Sequence, residues 1–160
     1  MMTVAPMTQA EVAEVSELLC SSYTLLQERE GLSPEQTEFL KSERGSPESI
    51  ERESQSQCFI VARDASQIVG VVAVSGDMIT KLYVNPKHVG KGIGRSLYKA
   101  AESEIRAGGY ARVTLGAFPT AVAFYKRMGL SVVGQKRPCG ALAGLTLAFM
   151  EKNLLPGRPN

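Results

Sequence analysis

The sequence predicts one mixed α/β (α+β) domain whose elements run in the order β-α-α-β-β-β-α-β-α-β-β. Three observations carry this. Apolar residues alternate or cluster over short stretches such as IVGVVAVS, and they recur every four residues at Ile93, Leu97, Ala101 and Ile105. Proline, glycine and serine signals separate the two kinds of segment. At 160 residues, with 44% hydrophobic and 21% charged residues, the chain has the size and balance of one domain that folds around its own core. That domain is expected over residues 1–155, with a short flexible tail at 156–160.

The elements follow in order. TVAPM forms a first strand, and Thr8 then stands as a cap before a long amphipathic pattern that ends near Gly31. Between Leu32 and Gln57 the chain is polar. Ser33-Pro34-Glu35-Gln36 opens one helix with a capping serine and a returning glutamine, and Ser46-Pro47-Glu48 opens a shorter one. With so few apolar residues, this stretch reads as helical or as a mobile cover. CFIVARDA, IVGVVAVS and residues 78–84 follow as an antiparallel meander with a polar turn at Ser66-Gln67. Pro86 stops the third of these strands. A glycine-rich run leads into the helix bearing Ile93, Leu97, Ala101 and Ile105, which Gly108-Gly109 can end. ARVTLGAF is the next strand, Pro119 starts a helix containing Phe124 and Tyr125, and LSVVGQK and LTLAFMEKN close the domain around the loop Pro138–Gly144.

Several function classes are excluded at this level. Cys20, Cys58 and Cys139 form no CxxC pair and His88 is the only histidine, so neither a disulfide framework nor a metal site is expected. Apolar runs are short and MMTVAPMTQAE lacks a basic and a long hydrophobic segment, which predicts no membrane association and a cytoplasmic location. Charge is unevenly distributed: residues 1–53 hold eleven glutamates against four Lys or Arg, and residues 54–160 hold five acids against fourteen bases. A basic second part suits a phosphorylated ligand, and an acidic first part suits a cationic one. The bases are scattered, so no nucleic-acid partner is expected.

KLYVNPKHVGKGIGRSLYKA joins a strand to a helix through glycines. Amides at a helix start lack internal partners and carry the positive end of the helix dipole, and Gly90, Gly92 and Gly94 present no side chain to block an anion. Lys91 and Arg95 add positive charge. A dinucleotide fingerprint fails because Arg95 stands where its third glycine belongs, and a Walker loop fails because Asn85 and Gly92 occupy its defining positions. The residues instead resemble the GNAT acetyltransferases. VNPKHVGKGIGRSLYKAAE is similar to their acyl-CoA pyrophosphate loop and helix, FYKRMGLSVVG is similar to their second cofactor segment, and the resemblance spans about 58–155.

What this resemblance implies is a GNAT fold, with a central, mixed but mostly antiparallel sheet flanked by helices. It implies acetyl transfer from acetyl-CoA to a primary amine of a small molecule or peptide, by direct attack in a ternary complex and without a metal. Cofactor contacts fall on Leu82, Tyr83 and Val84 of the strand that splays from its neighbour, and on Val89, Gly90, Lys91, Gly92, Ile93, Gly94, Arg95 and Ser96 of the loop and helix start. Tyr125 matches the tyrosine that protonates the departing thiolate, a fitting role for a phenol, whose pKa of about 10 keeps it protonated at neutral pH and able to protonate the more basic developing charge when desolvated. Val89 stands where the family has Gln or Arg, Phe118 where it often has Asn, and Met78 and Val113 where it commonly has a catalytic glutamate. No base carries over, and Asp77, Tyr83 and His88 are the titratable groups near by in sequence.

The competing reading is a catalytically silent acyl-CoA binding or regulatory domain, which the departures favour and Tyr125 with the intact glycine run opposes. The acceptor is expected between the early helices and the last hairpin. Glu28 and Glu30 there predict a cationic amine, and the small apolar loop Pro138–Gly144 serves either as contact area for it or as a homodimer interface.

Overall fold

A computed structural model describes residues 2–155 of the protein, so the tail expected at 156–160 lies outside the described residues. The chain opens with β1 (Met2–Pro6), followed by α1 (Val12–Glu30), α2 (Pro34–Arg44) and α3 (Pro47–Glu53). Next come β2 (Cys58–Asp64), β3 (Gln67–Ser75), β4 (Met78–Val84) and α4 (Ile93–Ala107). β5 (Arg112–Ala117), α5 (Val122–Arg127), β6 (Ser131–Lys136) and β7 (Leu147–Asn153) complete it.

The caps behave as short-range chemistry dictates. Thr8 precedes a one-turn 3-10 segment, Gln9–Glu11, that leads into α1, and the Thr8 amide donates to Glu11 Oε1 at 2.8 Å. At α2, the Gln36 amide donates to Ser33 Oγ and the Ser33 amide to Gln36 Oε1, each at 3.0 Å. The polar stretch after residue 32 is ordered as two helices. Gly45 and Pro47 separate them, and each anchors through few residues: Thr37 and Leu40 from α2, Ser49 and Ile50 from α3.

Seven strands form one sheet in the order β1-β2-β3-β4-β5-β7-β6, antiparallel at every pairing except β4 with β5. Two cores cover its faces. On one side α1, α2 and α3 bury Val15, Leu19, Leu40 and Ile50 against Phe59, Val61 and Val71. On the other, α4 buries Leu97, Ala101 and Ile105 against Ile60, Val72 and Leu115, and Tyr125 of α5 joins the same cluster. Three register shifts interrupt the pairings, one between β6 and β7 and two in the pairings of β3. Ala62 pairs with Gly70 and Arg63 with Ile68, leaving Val69 as the extra residue of a bulge. Ala73 pairs with Lys81 and Val74 with Ile79, leaving Thr80 as another.

Each bulge positions something. The Val69 carbonyl, displaced from the ladder, accepts the Asn85 amide at 2.8 Å and fixes the chain as it leaves β4. Beside it, a Cβ on Gly70 would lie 2.7 Å from Leu97 Cδ1 and 3.1 Å from Ile93 Cγ2, so the start of α4 rests directly on β3 backbone. The Thr80 bulge reverses the alternation of β4. Ile79 faces the α4 core, whereas Lys81 and Tyr83 face the α1–α3 side.

Candidate active site

β4 and β5 pair through a single register position, Met78 with Thr114, and then diverge. Asp77 pins the strands at that point: its carbonyl accepts the Thr114 amide at 2.8 Å, its Oδ1 accepts from Thr114 Oγ1 at 3.1 Å, and its Oδ2 accepts from Arg112 at 3.3 Å. Beyond the pin, the edge of β4 that faces β5 has no strand partner among the described residues. A cleft of about 1380 Å³ opens there. Leu82 and Val84 turn their side chains towards the α4 core and Tyr83 towards the other, so β4 offers the cleft mainly its unpaired backbone.

The glycine turn closes one end. Pro86–His88 is a 3-10 turn held by Asn85, whose Oδ1 accepts the Lys87 amide at 3.0 Å. Gly90 and Gly92 have φ of +87° and +77° with nothing within 4 Å of a built Cβ, so the left-handed backbone there demands glycine while the space above stays open. Gly94 differs. A Cβ on it would lie 3.3 Å from Phe124 Cε1 and 3.7 Å from Val84 Cγ2, so its bare face packs between α4, α5 and β4. Gly92 caps α4 with no side-chain bond, and the first helical bond runs from the Ser96 amide to the Gly92 carbonyl at 3.1 Å. The amides of Ile93, Gly94 and Arg95 therefore precede the helical ladder.

Of the residues singled out by sequence, Leu82, Tyr83, Val84, Val89, Gly90, Gly92, Ile93, Gly94, Arg95 and Tyr125 line this cleft. Lys91 and Ser96 do not line it. Tyr125 is 8% exposed and packs edge-on against Phe124 with ring centroids 5.1 Å apart. Burial, and to a lesser degree the neighbouring Tyr83, pushes its phenol well above the ordinary tyrosine range, so it stays protonated throughout neutral pH. Tyr83 is likewise pushed up by burial and stacks edge-on against Tyr23 at 5.4 Å.

The other end of the cleft departs from the sequence reading. Glu28 is exposed and outside the cleft, and Glu30 is engaged by the amide and hydroxyl of Thr120 at the start of the 3-10 turn before α5. Only Glu30 and Glu53 of the eleven early glutamates line the cleft, so the expected acidic wall is absent. Lys81 instead projects under α3, where its ammonium donates to both Glu53 oxygens at 2.8 Å. Its side chain is 4% exposed and that of Glu53 14%. Burial pulls the Lys81 pKa below the ordinary lysine value, with Glu53 opposing. Arg44, Gln57 and Thr80 border this pair, and Thr80 Oγ1 donates to Gln57 Oε1 at 2.6 Å. Part of the loop 138–144 also belongs here: Leu142 packs against the α1–α3 core and lines the cleft.

The Glu53–Lys81 pair escaped sequence reasoning, which read residues 32–57 as polar helix or mobile cover. Asp77 is occupied at the strand junction, while His88 lines the cleft beside the glycine turn. Among the described residues, no group of three or more His, Cys, Asp or Glu is arranged to hold a metal, and no helix is long and apolar enough to cross a membrane.

Residues 28–154 match the family model described as Acetyltransferase (GNAT) domain. No curated protein matches the sequence. Among solved structures, a GCN5-related N-acetyltransferase from Rhodopseudomonas palustris is 24% identical with a TM-score of 0.85, covering 95% of each chain. The PaiA N-acetyltransferase from Thermoplasma acidophilum, solved with coenzyme A, is 19% identical with a TM-score of 0.77, covering 96% of this chain and 99% of that one. YncA from Salmonella typhimurium, solved with its cofactor acetyl-CoA, is 18% identical with a TM-score of 0.70, covering 100% of this chain and 98% of that one. At these identities the structural likeness establishes the fold.

Proposed function

The chain belongs to the GNAT acetyltransferase family, and on that premise we propose that it transfers an acetyl group from acetyl-CoA to a primary amine held in the same cleft. The observation that carries this reading is the coincidence, in one opening, of the unpaired β4 edge, the open glycine turn and Tyr125. Pyrophosphate fits the turn: Gly90 and Gly92 leave room, the free amides of Ile93, Gly94 and Arg95 donate, and the Arg95 side chain adds charge. The acyl arm fits along β4, where it takes the place of a strand against the main-chain groups of Leu82, Tyr83 and Val84.

Each residue's part follows from its chemistry. A main-chain N–H on the β4 edge stabilises the charge that develops on the carbonyl oxygen as the amine nitrogen attacks the acyl carbon. As the carbon–sulfur bond breaks, Tyr125 gives its proton to the sulfur and recovers one from water. The proton lost by the amine passes to solvent, a route that needs no side-chain base. Burial keeps Tyr125 in the donor form and excludes the bulk water that would compete for the thioester.

The test is release of thiol from acetyl-CoA across a panel of amines, beside calorimetry with coenzyme A. Coenzyme A should raise the melting temperature, as any ligand selective for the folded state does. Gly92→Glu should abolish that shift in a folded protein by placing a side chain and negative charge over the turn. Tyr125→Phe should lower kcat by about 10²-fold with little effect on coenzyme A affinity. Coenzyme A binding without turnover of any amine would favour the silent acyl-CoA binding domain instead.

A further inference from the structure

The acetyl-transfer reading leaves the acceptor open, and the charges around it narrow the choice. At the end of the cleft formed by α1–α3, the first residues of β4 and the last of β6, the side chains include Arg44, Glu53, Lys81 and Lys136. Lys81 and Glu53 answer each other. Arg44 and Lys136 meet no carboxylate among the described residues. The Arg44 guanidinium makes a 3.4 Å contact with the Glu43 carbonyl of its own helix and stands 5.7 Å from the centre of the Phe39 ring. The Lys136 ammonium reaches only Met78 Sδ, at 3.8 Å.

These groups belong to one locality. Arg44 is near enough to act electrostatically on both Lys81 and Tyr23, and Met78, which Lys136 touches, lies three residues before Lys81 on β4. An acceptor whose only charge is positive would meet two cations without a carboxylate partner, both of them solvent-exposed at the cleft wall. An acceptor carrying a carboxylate would meet two donors for it, while Glu53 stays paired with Lys81. Leu26, Leu40 and Leu142 line the same side and suit an apolar substituent.

On the acetyl-transfer reading, we infer that the acceptor is an amino carboxylate, with Arg44 and Lys136 taking its carboxylate. The cationic preference suggested by the amino-terminal glutamates is thereby reversed, since those glutamates lie almost entirely outside the cleft.

The decisive experiment measures kcat/KM for the twenty amino acids, each beside its carboxamide, with wild type and with Arg44→Gln and Lys136→Gln. At least one amino acid should exceed its amide by about tenfold or more, as expected for a charge-assisted hydrogen bond to a carboxylate. Each variant should raise KM for that amino acid by a similar factor, leave its amide within about twofold and leave coenzyme A affinity by calorimetry unchanged. Amides matching or surpassing every amino acid, turnover of other amines alone, or variants that lower acid and amide alike would overturn the inference while leaving acetyl transfer intact. Failure of coenzyme A to bind would overturn acetyl transfer itself. In that case calorimetry with N-acetylleucine and N-acetylleucinamide still decides the carboxylate question: Arg44-dependent preference for the acid upholds it, and equal or absent binding refutes it.

Discussion

Glu53→Gln and Lys81→Met attack the most buried charge pair of the cleft from its two sides, and the structure sets the size of the response. The Lys81 ammonium is bonded to both Glu53 oxygens at 2.8 Å, and the two side chains are 4% and 14% exposed, so neither charge is replaced by water when its partner is lost. Removing one partner of a buried pair costs about 3–5 kcal/mol, whereas removing both is often nearly neutral. Either single variant should thus lose about 3 kcal/mol or more, a large share of the stability of a domain this size, and the double variant should return to within about 1 kcal/mol of wild type.

The pH dependence follows from the lysine. Its folded pKa already lies below its unfolded value of 10.5, so the unfolded chain binds that proton more tightly and stability rises with pH from the folded pKa up to 10.5. Without Glu53 the folded pKa drops further and the window opens at lower pH. The buried lysine then escapes its penalty by shedding the proton, which costs less the closer the pH lies to 10.5, so the deficit is smaller at pH 9 than at pH 7. Urea denaturation of the four proteins at pH 7 and pH 9 reads all of this. Additive losses in the double variant, or a Glu53→Gln deficit equal at the two pH values, would refute the reasoning.

Three further expectations rest on separate parts of the fold. Gly70→Ala places a methyl 2.7 Å from Leu97 Cδ1 and 3.2 Å from the Tyr83 carbonyl, so it should lower stability by about 1–3 kcal/mol and weaken coenzyme A binding by lifting the start of α4; unchanged melting and affinity would refute the seating of α4 on β3. Its hydrogen bonds with Arg63, together with the Thr8 amide and hydroxyl, hold Glu11 down to about 2 from 4.5, so the stability it supplies is complete above 4.5 and lost as pH falls from 4.5 towards 2. Glu11→Gln should cost about 1–2 kcal/mol at pH 7 and flatten that acid limb in a denaturation series, and an unchanged limb would reject the assignment. Because burial raises the Tyr125 phenol, the pH profile of kcat should show no loss assignable to Tyr125 up to the ordinary tyrosine value of 10.0, and a fall near pH 8 that Tyr125→Phe removes would contradict the geometry.

The sequence by itself determined whatever depends on neighbours within a few residues. Ser33 and Gln36, or Thr8 and Glu11, cap through bonds spanning three positions, and Ile93, Leu97, Ala101 and Ile105 share a face because the helical period places them there. The glycine turn was legible for the same reason, since left-handed φ at Gly90 and Gly92 is a local demand. Tertiary structure decided the rest. It divided the polar stretch after residue 32 between α2 and α3 by giving each a few buried anchors, and it set the bare Cα face of Gly94 against Phe124. The bulges at Val69 and Thr80 are visible only in strand pairing, because an extra residue is extra only relative to its partner. Glu53 and Lys81, twenty-eight positions apart, meet because the α1–α3 layer closes over the face to which the Thr80 bulge directs Lys81. No composition or period reports a charge at that distance, so the electrical character of the acceptor end had to come from the fold.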